Sequence, residues 1–277
     1  MFTSLLNEFG FPIFLLRLTG FFVVRSIIVV SIGFAIAKFT VFGRERRIYK
    51  MNYGRGQLRT EALTMIKIIP FYSLLIAIAT YFNMIHFAKA SVIGTIQTFV
   101  ASFVWNEIWF YALHRVLHHS KMMFIHRDHH RSPVASPLST ASFSFTEQTF
   151  QVVSALFWPA VSSRFIPWTF EGLTLYSVFS VTVNLLGHMN VEVYPPWFAE
   201  SKIGKYFSTP TYHMLHHGRV RGHYGLLTTI PDRIFGTYFE DYPRVQARAS
   251  RGQGLTRAAE RVPLAPSVTQ SSRAGSL

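Results

Sequence analysis

Cysteine is missing from all 277 residues, which excludes disulfides, thiolate-bound zinc and iron–sulfur ligation together. Any metal held by this chain must be held through nitrogen or oxygen. Charge is scarce too: charged residues make up 14% of the sequence against 49% hydrophobic, well under the quarter usual in soluble domains, and mean hydropathy is +0.25. That balance points to a membrane protein. Acidic residues are the scarcer sign, 13 against 27 Lys plus Arg, for a formal charge of +14. Such an excess suits nucleic acid or an anionic membrane face; the long apolar runs decide for the membrane, and no nucleic-acid partner is expected. The chain has no Gly-x-Gly-x-x-Gly stretch, hence no dinucleotide fingerprint. It also has no Glu-x-x-His pair, the ligand unit of soluble four-helix di-iron proteins. The opening MFTSLLNEFG lacks the basic start of a cleavable signal peptide, so the first apolar stretch is expected to be retained.

A spanning helix needs about 20 mostly apolar residues, and three stretches qualify: 18–42, 62–83 and 90–113. Arg25 and Lys38 intrude on the first. Thirteen residues apart, or about 20 Å on a helix, they are expected to snorkel to opposite interfaces. GRERRIYKMNYGRGQLR at 43–59 carries six basic side chains, whereas the 83–90 connection has only Lys89, which assigns the 43–59 loop to the cytoplasm. Two shorter apolar runs, 149–161 and 168–187, read as a hairpin that crosses the bilayer fully or in part. From residue 243 the sequence is arginine-rich and poor in bulky apolar side chains, and a disordered tail is expected over 243–277. Residues 1–242 are read as one membrane-embedded catalytic domain.

What the chain does have is histidine, concentrated in two places. HRVLHHSKMMFIHRDHH at 114–130 holds six of the 12, and HMLHHGRVRGH at 213–223 holds four. His114 and His118 are spaced i, i+4, so on a helix continuing the third span they share a face. His126 and His130 repeat that spacing with His129 at i+3, and His213, His216 and His217 give the pattern again. Eight imidazoles exceed the ligand set of one transition metal, about four to six, so the count fits two ions; imidazole alone leaves iron, copper, zinc and nickel open. Even numbers of apolar runs separate the basic loop from both clusters, which places all three on one membrane face. His188 and His223 are further candidate ligands. His119 is expected at the surface or behind the ligands, and His86 at a membrane interface. Glu107, seven residues before His114, falls on the same helix face and is expected to orient a ligand imidazole through its second nitrogen. Trp105, Trp109, Phe110, Tyr111, Phe143 and Phe145 are candidates to line an apolar channel near the histidines.

The series HRVLH at 114–118, HRDHH at 126–130 and HMLHH at 213–217, with an apolar hairpin between the last two, resembles the fatty acid hydroxylase / sterol desaturase superfamily of membrane di-iron enzymes. The resemblance runs from about Asn106 to Tyr242 and includes HYGLLTTIPDRIFGTY at 223–238, similar to the family's closing Asp-Arg before Phe-Gly-Thr. It implies two iron ions on the cytosolic side, O2 as co-substrate, and hydroxylation or desaturation of a lipid. Carried over by position, the ligands are His114, His118, His126, His129, His130, His213, His216 and His217, with His188 matching a further histidine after the hairpin. Many members have Asn where this chain has His223, and Asp where it has Glu107.

An unactivated C–H bond offers no acid–base handle, so a redox metal that activates oxygen is the chemistry such a substrate calls for. The lipid arrives from the bilayer, as a sterol-like, isoprenoid or fatty acyl molecule. With no flavin- or haem-binding segment in the sequence, electrons are expected from a ferredoxin or a cytochrome b5 type donor with its reductase, for which the 43–59 loop is a candidate docking face. The fold expected is all-α: a multi-pass integral membrane protein of about four to five membrane segments under a cytosolic, helical, histidine-rich metal cap. The host membrane is a bacterial inner membrane or the endoplasmic reticulum. The rival reading is a membrane transporter or storage protein for zinc or another divalent metal.

Overall fold

The computed structural model describes residues 2–264. The described residues form no β-strands, only isolated bridges, and are built from ten α-helices: α1 (Phe2–Phe39), α2 (Val41–Glu45), α3 (Gln57–Tyr81), α4 (Val92–Leu117), α5 (Met123–His126), α6 (Phe145–Ser162), α7 (Phe170–His188), α8 (Pro210–Arg219), α9 (Ile230–Ile234) and α10 (Tyr242–Ser250). The apolar runs become the long helices because nothing inside them stops a helix. The exception is Gly10, whose φ of 73° breaks α1 just before Pro12; from residue 11 onward α1 is continuous. Local side chains set the other boundaries. Thr40, Ser91, Ser144 and Thr169 accept hydrogen bonds from Gly43, Gly94, Glu147 and Gly172 N–H groups, respectively, as N-caps of α2, α4, α6 and α7.

Two helices are long and apolar enough to cross a membrane, over Leu6–Phe39 and Gln57–Tyr81. They run antiparallel, joined by the edge-on ring pairs Phe22–Tyr72 (4.7 Å) and Phe11–Tyr81 (5.8 Å). α4 and α7 lie alongside each other. Their close approach begins at Gly172, where any Cβ would meet the side chain of Thr98 and the carbonyl of Thr95. The α6–α7 hairpin reaches the same end of the molecule as the 83–90 connection, where the Ala88 N–H donates to the Trp168 carbonyl (2.7 Å).

At the other end the connections build a cap. Ile48 and Tyr49, from the basic loop, are buried with Tyr212, Met214 and Leu215 of α8 and with Val245, Ala249 and Leu255. The basic loop and the third histidine box therefore share one end of the molecule. The disordered tail expected from 243 does not hold over 243–264; residues 265–277 lie outside the described residues. Composition misled here because few side chains of this segment are bulky. Its hold comes from Tyr242, Val245 and Ala249 on one face of α10 and from polar anchors. Arg219 and Asp241 form a two-pronged ion pair, both contacts at 2.7 Å. The Val262 N–H donates to Asp241 (2.9 Å), and the Tyr49 hydroxyl donates to the Ala258 carbonyl (2.8 Å).

Candidate metal centre

The sequence-distant histidines converge in two groups under the cap. His114, His118, His126, His130 and His216 form one; His129, His188, His213 and His217 form the other, and within each the ligand nitrogens lie within 4.8 Å of one another. The second and third boxes are each divided between the groups, because adjacent side chains diverge, by about 100° on a helix: His130 joins one and His129 the other, as do His216 and His217, while His114 and His118 of the first box both join the first group. α4 supplies His114 at its last turn and His118 just beyond it, α7 ends on His188, and α8 carries His213, His216 and His217. All nine are buried except His130, which is partly so.

The spacing fits metal ions. In the first group the Nε2 atoms of His114 and His126 are 3.1 Å apart, those of His118 and His216 3.1 Å, and those of His130 and His216 2.9 Å. In the second, His213 lies 3.3 Å from His188 and 3.2 Å from His217. Metal–imidazole bonds of about 2.0–2.1 Å set at right angles place neighbouring nitrogens about 3.0 Å apart. The tautomers agree. His114, His188 and His216 each donate from Nδ1 to a backbone carbonyl, of Tyr224 (2.8 Å), Asn184 (2.7 Å) and Gly222 (2.7 Å), which leaves Nε2 as a bare lone pair. The single lone pair of His216 faces two other imidazole nitrogens. Hydrogen bonds among neutral rings cannot satisfy that arrangement, whereas a shared cation can. Burial, reinforced by the neighbouring imidazoles, holds His126, His129, His130, His213, His216 and His217 well below the ordinary histidine pKa, in the neutral form that binds metal.

Two buried carboxylates hold this arrangement, and sequence reasoning missed both roles. Glu147, in the first turn of α6, lies 2.7 Å from His126 Nδ1 and takes the imidazole-orienting role expected of Glu107. Glu107 instead accepts from the Thr228 hydroxyl, because its direction on α4 faces the 226–228 loop and not an imidazole. A signal for Glu147 existed: it is a lone acid opening an apolar helix, and a buried acid needs a partner. Asp232 accepts from the Tyr212 hydroxyl (2.6 Å), the Thr237 hydroxyl (2.6 Å) and the N–H groups of Tyr224 (2.8 Å) and Gly225 (2.7 Å). It thereby fixes the loop whose Gly222 and Tyr224 carbonyls orient His216 and His114.

His223 is not part of either group, which corrects the expectation of a tenth ligand. Its Nδ1 donates to the Tyr212 carbonyl (3.1 Å) and its Nε2 accepts from the Phe239 N–H (2.9 Å), so both nitrogens are occupied by backbone. Its φ of 55° is a conformation that Asn and His adopt more readily than most residues. His119 is exposed, accepting from the Lys121 N–H (3.3 Å), and His86 is exposed at the far end.

A cavity of about 730 Å3 extends from the histidines between α1, α3, α4, α6 and α7, and its wall includes His114 and His126 of one group and His129, His188 and His213 of the other. Along α3 the lining runs from Ile68 to Thr80, twelve residues or about 18 Å. Trp105, Trp109, Phe110 and Phe143 line it as expected. Phe143 also stacks on His129, with centroids 4.8 Å apart. Tyr111 and Phe145 do not line it: Tyr111 stacks on Phe235 (5.2 Å), and Phe145 packs edge-on against Phe71 (5.0 Å).

The family model for fatty acid hydroxylases matches residues 99–237, from α4 through the closing Thr237. The chain belongs to the fatty acid hydroxylase family. Its similar curated proteins include the very-long-chain aldehyde decarbonylase GL1-6 of Oryza sativa subsp. indica, 31% identical over 154 residues that make up 53% of this chain and 24% of the relative. Another is the very-long-chain aldehyde decarbonylase CER1 of Arabidopsis thaliana, 32% identical over 144 residues, 48% of this chain and 22% of the relative. The matched part of this chain thus spans about a quarter of each relative's length. No solved structure matches it. The family and these relatives are enzymes, and the matched region of this fatty acid hydroxylase family member contains all nine grouped histidines.

Proposed function

We propose that this chain is an O2-dependent membrane lipid hydroxylase or desaturase that holds two iron ions, one in each histidine group, on the cytoplasmic side of its membrane. The observation that carries the reading is the shared chamber: members of both imidazole groups face one elongated apolar cavity between helices of membrane-spanning length. Bound iron would supply oxygen activation, with two electrons from outside, strong enough to oxidise an unactivated C–H bond. The chain's own residues do the rest. Glu147, Asn184, Gly222 and Tyr224 hold ligand imidazoles in one tautomer. Phe143 on His129, with Leu113 and Leu117, gives the reacting end an apolar wall that excludes water from an alkyl chain.

The shape favours a long, narrow substrate, and the very-long-chain aldehydes in the relatives' names are of that kind. Electrons would come from a ferredoxin or cytochrome b5 type donor meeting the basic 43–59 loop, which is built into the cap beside the histidines. The zinc-transporter alternative draws no support from the family match. The test is lipid analysis of cells expressing the intact protein or its His129→Ala variant. A lipid that gains a hydroxyl or a double bond only with the intact protein supports the reading; the same product from His129→Ala would end it.

A further inference from the structure

Arg25 is a cation in an unusual place. It lies fourteen residues from Phe11, which meets the end of α3 at Tyr81, and fourteen from Phe39, where α1 ends at the cap. Both distances are about 21 Å along the helix, further than an arginine stem reaches, so the Arg25 guanidinium lies far from both ends of α1. It sits at the middle of the span, where a charge is costly and calls for a functional partner. Among the described residues no carboxylate lies within ion-pair distance of it. What it has are two rings: its guanidinium carbon is 4.6 Å from the Phe22 centroid and 5.9 Å from that of Tyr72, which only partly replaces water. Arg25, Phe22, Ser26 and Tyr72 all line the chamber that ends on the histidines.

We propose that Arg25 is an anion-binding subsite of this chamber, pairing with the carboxylate or phosphate head of a single-chain amphiphile whose alkyl chain runs toward the histidines. The inference rests on the reading of the chamber as the substrate site and narrows it: the substrate is a lipid anion held by its head inside the protein. Oxidation then falls on a carbon remote from the charged group. A planar guanidinium suits either oxyanion, and the neighbouring Ser26 and Tyr72 hydroxyls provide polar lining near an otherwise apolar wall. A neutral lipid of the same length would fill the chamber but leave the cation unpaired.

Direct binding to the purified, membrane-reconstituted full-length protein tests this without turnover. Radiolabelled hexadecanoate, hexadecyl phosphate and hexadecanol are compared on the wild type, Arg25→Gln and Arg25→Lys. The expected result is that one anion binds the wild type roughly 10- to 100-fold more tightly than the alcohol. Whichever anion it is distinguishes a carboxylate from a phosphate head. Arg25→Gln should remove the preference while leaving alcohol binding in place, and Arg25→Lys should retain part of it. Equal binding of all three by the wild type overturns the proposal, as does a preference that survives in Arg25→Gln or an equal loss for alcohol and anions. The wild-type and Arg25→Lys arms decide it even if the glutamine variant fails to fold. Anion binding by a protein that oxidises no lipid would refute the proposed function and leave Arg25 standing; oxidation of a lipid with no anion preference would do the reverse.

Discussion

Replacing Glu147 by glutamine perturbs one contact of the first histidine group and leaves its shape nearly unchanged. The carboxylate is fully buried, 2.7 Å from His126 Nδ1, and also accepts from Gln151 (3.1 Å). A glutamine oxygen can still accept from the imidazole, so the ring keeps its place but loses the negative charge behind it. That charge makes His126 a stronger donor to an ion on its Nε2 side. Outer-shell partners of this kind are worth about 10- to 100-fold in metal affinity, or about 1.4–2.7 kcal/mol. The assay is chelator competition on the purified protein, with bound metal counted and melting temperature followed in parallel. Weaker metal retention with little change in the metal-free melting temperature is expected. Retention equal to the wild type would refute the idea that Glu147 tunes a ligand, and a collapse of the metal-free protein would show that it serves packing instead.

Gly187 packs against His213, and a Cβ there would lie 3.1 Å from the imidazole's Cβ and Cδ2 atoms; Gly187→Ala should weaken the four-histidine group selectively and bring metal content down toward one ion per chain. His223→Asn should keep both ions, since His223 bonds only to backbone, while lowering thermal stability by about 1–2 kcal/mol for the lost bonds; loss of metal would restore His223 as a ligand. Burial alone would raise the Asp241 pKa, but the hydrogen bonds and charge of Arg219 outweigh it and leave it below the ordinary aspartate value. The pair's stabilisation is therefore complete above about pH 4 and declines as pH falls through the lowered folded-state value. Acid unfolding of Asp241→Asn should show a shallower pH dependence over that window than the wild type.

The sequence displayed its clustered histidines well because they recur at local spacing. Steps of three and four residues put His114 with His118 and His126 with His130 on common faces, and no tertiary knowledge was needed to see them. Clusters nearly a hundred residues apart do meet at one end of the molecule, which the spacing within each box does not reveal by itself. The supports were harder to read. The carbonyls of Asn184, Gly222 and Tyr224 that set the tautomers belong to the backbone, and no side-chain pattern announces them. Glu107 and Glu147 look alike as lone acids in apolar helices, and only helix direction tells which one reaches an imidazole. The 243–264 segment was misread because its anchors, Asp241 with Arg219 and Leu255 with Ile48, join distant residues that composition does not connect.

Metal analysis of anaerobically purified protein tests the central claim most directly. Two iron ions per chain, lost together with activity when His129 and His216 are each replaced by alanine, is the expected result. A single zinc ion with no iron, or full metal content in both variants, would contradict it.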